Sequence, residues 1–122
     1  LLTLCTLLCE NPLLNEPGVS ESHPDVTIYK EIIEFSNISI AVCDIASKKP
    51  GIYQPFFSNF YPFVKENFKN NYDKLIEFSE KMLSEKFKES TVLKTGYYNM
   101  KVNINYNFII DKLKQARAIV DL

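Results

Sequence analysis

Leu1-Leu2-Thr3-Leu4-Cys5-Thr6-Leu7-Leu8-Cys9-Glu10-Asn11-Pro12 opens the chain, and the fold turns on how this stretch is read. Its apolar part, residues 1–9, is compatible with helix or strand by periodicity alone. Thr3 and Thr6 make a thin polar edge three residues apart, which favours a helix with one exposed stripe. A signal-peptide core is the competing reading. No basic region comes before the run, no small-residue cleavage site follows it, and it is far too short to span a membrane. The expectation is therefore a buried helix whose start lies outside this chain.

Outward from that helix the chain punctuates itself. Asn11-Pro12, Pro17-Gly18 and His23-Pro24 mark residues 10–24 as loop. Asp25 is placed to cap a following helix, since its carboxylate can accept from free first-turn N–H groups. Ile28, Ile32, Phe35, Ser39, Val42 and Ala46 then recur at three- and four-residue steps. That pattern predicts one long helix over 26–47, or two with a kink near Ser36-Asn37. Lys48-Lys49-Pro50-Gly51 stops it, because cations suit a helix C-terminus and Pro-Gly breaks the pattern. Residues 52–61 are aromatic and interrupted by proline. A second helix is expected from Pro62 to about Lys88, with Val64, Phe68, Tyr72, Leu75, Ser79 and Met82 as its stripe. Residues 89–104 suggest a short hairpin turning at Thr95-Gly96, with Thr91-Val92-Leu93 and Tyr97-Tyr98 as its arms. Asn105 caps a last helix from Tyr106 to about Val120, burying Ile109, Leu113, Ala116 and Val120.

Composition excludes several classes. The chain has 122 residues, 46% hydrophobic and 24% charged, as in ordinary globular proteins. Its net charge of −1 gives no field to hold nucleic acid or an anionic membrane. Three cysteines, Cys5, Cys9 and Cys43, suggest free thiols in a reducing compartment. All of them stand in apolar runs without a neighbouring base, so they read as small buried hydrophobes rather than nucleophiles. His23 is the single histidine and sits in a Pro-rich loop, where exposure is expected. A metal held by Cys5, Cys9 and His23 is conceivable, but the paired CxxC spacing of structural zinc sites is missing, so no metal and no cofactor is expected. Three glycines are too few for a phosphate-cradling loop. The triplet Asn37-Ile38-Ser39 fits a glycosylation acceptor, a pattern common by chance.

A resemblance sharpens this reading. Leu1 to Pro12 resembles the crossover helix and following loop of ubiquitin-conjugating (E2) enzymes, which commonly read Leu-Leu-Ser-Ile-Cys-Ser-Leu-Leu before an acidic, Pro-containing loop. Asn15-Glu16-Pro17-Gly18, His23-Pro24, Tyr29-Lys30-Glu31-Ile32-Ile33 and Ile40-Ala41-Val42-Cys43-Asp44 follow in the order and spacing of the long Z type of that family. Phe68, Tyr72-Asp73, Asn105-Tyr106, Ile109-Ile110 and Leu113 extend the likeness. The resemblance implies an α+β UBC-like E2 fold of which the present part is mainly helical, from the crossover helix onward. Residues 1–50 would be the C-terminal helical part of that fold, and 51–122 a helical C-terminal extension packed on it.

The same resemblance implies the chemistry. Such an enzyme takes ubiquitin or a ubiquitin-like protein from an E1 as a cysteine thioester and passes it to a lysine or to an E3. The family's His-Pro-Asn motif and catalytic cysteine precede the crossover helix, so the cysteine is expected upstream of Leu1 and this chain alone is expected to be inactive. Leu2 and Thr6 match positions that pack on the donor ubiquitin, and they lie one turn apart. Glu16, just before Pro17, matches the carboxylate that positions and deprotonates the attacking lysine. A cytoplasmic or nuclear protein is implied. Two other readings compete: a catalytically inactive E2-like binding module, and an unrelated helical interaction domain.

Overall fold

The computed structural model describes residues 11–48 and 56–122. The expected helix over residues 1–9 lies outside the described residues, as do Leu2, Thr6, Cys5 and Cys9. Pro12–Asn15 forms one 3-10 turn, α1 spans Asp25–Ser36 and α2 spans Phe56–Glu85. The hairpin strands are β1, Thr91–Lys94, and β2, Lys101–Ile104; α3, Tyr106–Val120, follows. The architecture is α+β and mainly helical, with one two-stranded antiparallel sheet. No described helix is long and apolar enough to cross a membrane.

The apolar stripes explain the packing. Ile109, Leu113, Ala116 and Val120 of α3 are fully buried. They lie against Phe68 of α2, Phe35 of α1, and half-buried Tyr72, Leu75 and Met82 in one core. Tyr106 is the aromatic centre of that core. Its ring meets Phe35 edge-on at 5.5 Å and Phe78 edge-on at 6.2 Å, and stacks on Phe87 at 5.8 Å. One side chain thereby ties α1, α2 and the turn after α2 to α3. Burial, reinforced by the nearby carboxylates of Glu34 and Glu31, raises the Tyr106 hydroxyl above the ordinary phenol range. Asn105 caps α3 as expected: its side chain accepts from the Phe108 N–H at 3.2 Å.

The pattern over residues 26–47 is one continuous helical run with a change of pitch. From Asn37 to Asp44 the backbone is π-helical, and the change starts beside the predicted kink at Ser36-Asn37. The wider turn keeps Ile38, Ser39 and Cys43 together on the buried side. Lys112 of α3 fastens this segment, with its ammonium 2.8 Å from Asp44 and donating to Ser39 Oγ at 2.9 Å.

Three local expectations need correction. Helix α2 begins by Phe56 rather than at Pro62, so the proline lies inside the helix. A proline there forfeits one ladder hydrogen bond. Tertiary anchoring overrides that cost: Tyr61 is buried and its hydroxyl donates to the Ala46 carbonyl at 3.1 Å, fixing the turn that precedes Pro62. The second arm of the hairpin is Lys101–Ile104, not Tyr97-Tyr98, with Thr91 opposite Ile104 and Lys94 opposite Lys101. This register turns Leu93, Val102 and Ile104 to the core and leaves Val92, Lys94, Lys101 and Asn103 exposed. Asp25 does not cap α1. The N–H of Asp25 is instead satisfied by the His23 ring, whose Nδ1 accepts it at 3.1 Å, and the Asp25 carboxylate points elsewhere.

Candidate functional site

Glu16 is presented by two consecutive turns. Leu13, 1% exposed, anchors the Pro12–Asn15 turn against α1, and the Glu16 N–H closes it on the Leu13 carbonyl at 3.1 Å. Glu16-Pro17-Gly18-Val19 then reverses the chain, with the Val19 N–H donating to the Glu16 carbonyl at 3.3 Å. Proline at the second position and a glycine at φ 83° at the third are what a type II turn requires. The Pro-Gly pair therefore does more than interrupt the sequence: it fixes the backbone from which the Glu16 carboxylate projects.

The other side of the site arrives from far along the chain. The loop between β1 and β2, residues 95–100, reaches the start of α1. Asp25 Oδ2 accepts from the N–H groups of Gly96, at 2.9 Å, and Tyr97, at 3.1 Å. Thr95 closes the loop on itself, its N–H donating to Met100 O at 3.0 Å and its hydroxyl to Tyr97 O at 2.6 Å. So fixed, the loop places Tyr98 where its hydroxyl donates to Glu16 Oε1. Rings line the junction: His23 meets Tyr97 edge-on at 5.1 Å, and Tyr98 lies 6.0 Å from Tyr29. His23, Asp25, Gly96 and Tyr97 line an open cleft of ≈ 290 Å³ beside them.

Of the residues singled out in the sequence, Glu16 is thus held on a shaped loop, whereas Leu2 and Thr6 lie outside the described residues. His23, expected to be exposed, is half-buried and spends one ring nitrogen on the start of α1. Sequence reasoning missed Asp25, Tyr97 and Tyr98 as neighbours of the Glu16 loop. Their one signal was Gly96-Tyr97-Tyr98-Asn99, large aromatics set in a turn between strands.

Cys43 is the one cysteine among the described residues, and it is fully buried. Burial pushes its thiol up to about 11, with the Lys112 ammonium opposing and Asp44 adding slightly. A thiol held protonated and out of solvent neither attacks nor leaves as a thiolate. What the site offers chemically is an oriented carboxylate with a phenol donor on one oxygen, suited to accept a hydrogen bond or a proton from an incoming amine.

No family model matches the chain. Two curated proteins share 35% identity with it over 74 residues, namely ubiquitin-conjugating enzyme E2 Z of Homo sapiens and of Rattus norvegicus. The likeness is to a ubiquitin-conjugating enzyme. It is partial and distant, covering 53% of this chain and 21% of each relative. The chain therefore spans a minor part of the length of the relatives it matches.

Proposed function

We propose that this chain is the C-terminal part of a ubiquitin-conjugating enzyme that carries ubiquitin or a ubiquitin-like protein as a thioester. The carrier cysteine lies upstream of Leu1. The modifier comes from an E1 and goes to a lysine or, through an E3, to a substrate. Residues 1–50 complete the UBC fold and 51–122 form the extension on it. The enzyme works in the cytoplasm or nucleus.

The observation that carries this reading is the Glu16 loop. A carboxylate projects from a Pro-Gly turn in a segment whose sequence order resembles the E2 acidic loop, and a hydroxyl holds one of its oxygens. In the proposed mechanism Glu16 accepts a hydrogen bond from the attacking lysine, orients its nitrogen toward the thioester carbonyl and helps remove its proton. The amine then displaces the cysteine thiolate, forming the isopeptide bond. Leu2 and Thr6 hold the donor ubiquitin during that step. Cys43 takes no part.

The test is single-turnover discharge of the full-length, E1-charged protein to free lysine. Glu16→Gln keeps the shape of the side chain and should slow discharge roughly ten- to a hundredfold, with charging by E1 unchanged. Leu2→Arg or Thr6→Arg should slow discharge by a similar factor, about ten- to a hundredfold, through loss of the donor contact. Wild-type discharge by folded Glu16→Gln would remove Glu16 from the mechanism.

A further inference from the structure

We infer that Tyr98 is a positioning residue of the Glu16 site, a part that the hairpin loop of residues 95–100 supplies to a carboxylate far earlier in the chain. The inference rests on the reading of Glu16 as the lysine-positioning group. Tyr98 sits at φ 62°, in the left-handed region, and Asn99 follows at φ 49°. Asparagine tolerates that region, whereas a bulky aromatic is an outlier there and persists only where its surroundings over-determine it. Burial does not account for its retention, because Tyr98 is 59% exposed. What the conformation achieves is contact: the hydroxyl donates to Glu16 Oε1 and the ring rests near Tyr29.

The loop is built to impose that geometry. Asp25 clamps the N–H groups of Gly96 and Tyr97, the two residues immediately before Tyr98. The Asn99 N–H returns to the Gly96 carbonyl at 3.4 Å, so the backbone on both sides of Tyr98 is tied down. A glutamate projecting from a surface turn would otherwise sample several rotamers. One fixed donor on Oε1 removes most of that freedom and leaves Oε2 to accept from an incoming ammonium or amine, which is the orientation effect a transfer site needs. Tyr98 thus acts through Glu16 and does not touch the reacting atoms.

Discharge to lysine by the charged full-length protein tests this, with Tyr98→Phe, Glu16→Gln and the double variant. Tyr98→Phe keeps the ring and loses only the donor. It should charge normally and discharge roughly three- to tenfold more slowly, the rate equivalent of one hydrogen bond. In the Glu16→Gln background the same change should have no further effect, a non-additivity that a merely structural role would not produce. Tyr98→Asn suits the left-handed backbone and should be at least as slow as Tyr98→Phe, which separates the hydroxyl from relief of strain. If Glu16→Gln is slow but Tyr98→Phe discharges like wild type or faster, or if the two effects multiply, the role of Tyr98 is overturned and that of Glu16 stands. If Glu16→Gln discharges like wild type, the Glu16 reading falls and this inference falls with it.

Discussion

Asp25→Ala should unlatch the hairpin loop from the start of α1. The wild-type carboxylate accepts at a single oxygen from Gly96 N–H and Tyr97 N–H, linking positions 71 and 72 residues apart. Hydrogen bonds to a charged acceptor contribute about 1.5–3 kcal/mol each where water is excluded, and less where it competes. The Tyr97 bond is part-buried and belongs at the lower end of that range; the Gly96 bond is exposed and contributes about 0.5–1 kcal/mol. A carboxylate in the first turn of α1 adds about 0.3–1 kcal/mol through its closeness to the positive end of the helix, although it caps no N–H there. The sum is a loss of about 2–4 kcal/mol for Asp25→Ala. Asp25→Asn retains an oxygen acceptor and should cost about 1 kcal/mol. Urea denaturation of the full-length protein gives the global figure, and amide hydrogen exchange at Gly96 and Tyr97 gives the local one. Exchange at those two amides should accelerate before any change in α3. A folded Asp25→Ala variant with unchanged stability and unchanged protection at both amides would refute the latch.

Tyr61→Phe should lower stability by about 1–3 kcal/mol, since it leaves the buried Ala46 carbonyl without its donor; a loss within about 0.5 kcal/mol would mean that the hydroxyl does not hold the turn before Pro62. Cys43 should resist iodoacetamide in the native protein at pH 8 and react once urea unfolds it, as read by site-resolved mass spectrometry; rapid native labelling would contradict its burial. The same thiol sets a pH dependence. Folded, it keeps its proton up to about 11, whereas its ordinary value is 9.0, so its contribution is intact below pH 9 and is lost as pH rises from there toward 11. Cys43→Ala should flatten that part of the alkaline stability profile, and an unaltered profile would contradict the shift.

The helical stripes were legible because a period near 3.6 records which face is buried. Ile32, Phe35, Phe68, Ile109, Leu113 and Val120 are all core residues as the spacing predicts. The Asn105 cap was legible for a similar reason, since it satisfies a donor three residues away. Asp25 was misread by the same logic. It carries the right chemistry to cap α1, yet a loop from much later in the chain offers it two N–H groups, and His23 takes over its expected task. Pro62 misled because a local start signal was overridden by the buried Tyr61 anchor. The Glu16 turn could be read from Pro17-Gly18, whereas its partner Tyr98 could not, because no local pattern encodes a hydrogen bond across 82 residues.

The most direct test of the account is charging of the full-length protein. Incubation with E1, ATP and ubiquitin or a ubiquitin-like protein, followed by non-reducing electrophoresis and mass spectrometry, identifies any cysteine that carries the modifier. The account predicts a thiol-reducible adduct on a cysteine N-terminal to Leu1, unaffected by replacing Cys5, Cys9 and Cys43 with serine. Failure to charge with any E1–modifier pair, or an adduct mapped to one of those cysteines, would contradict it.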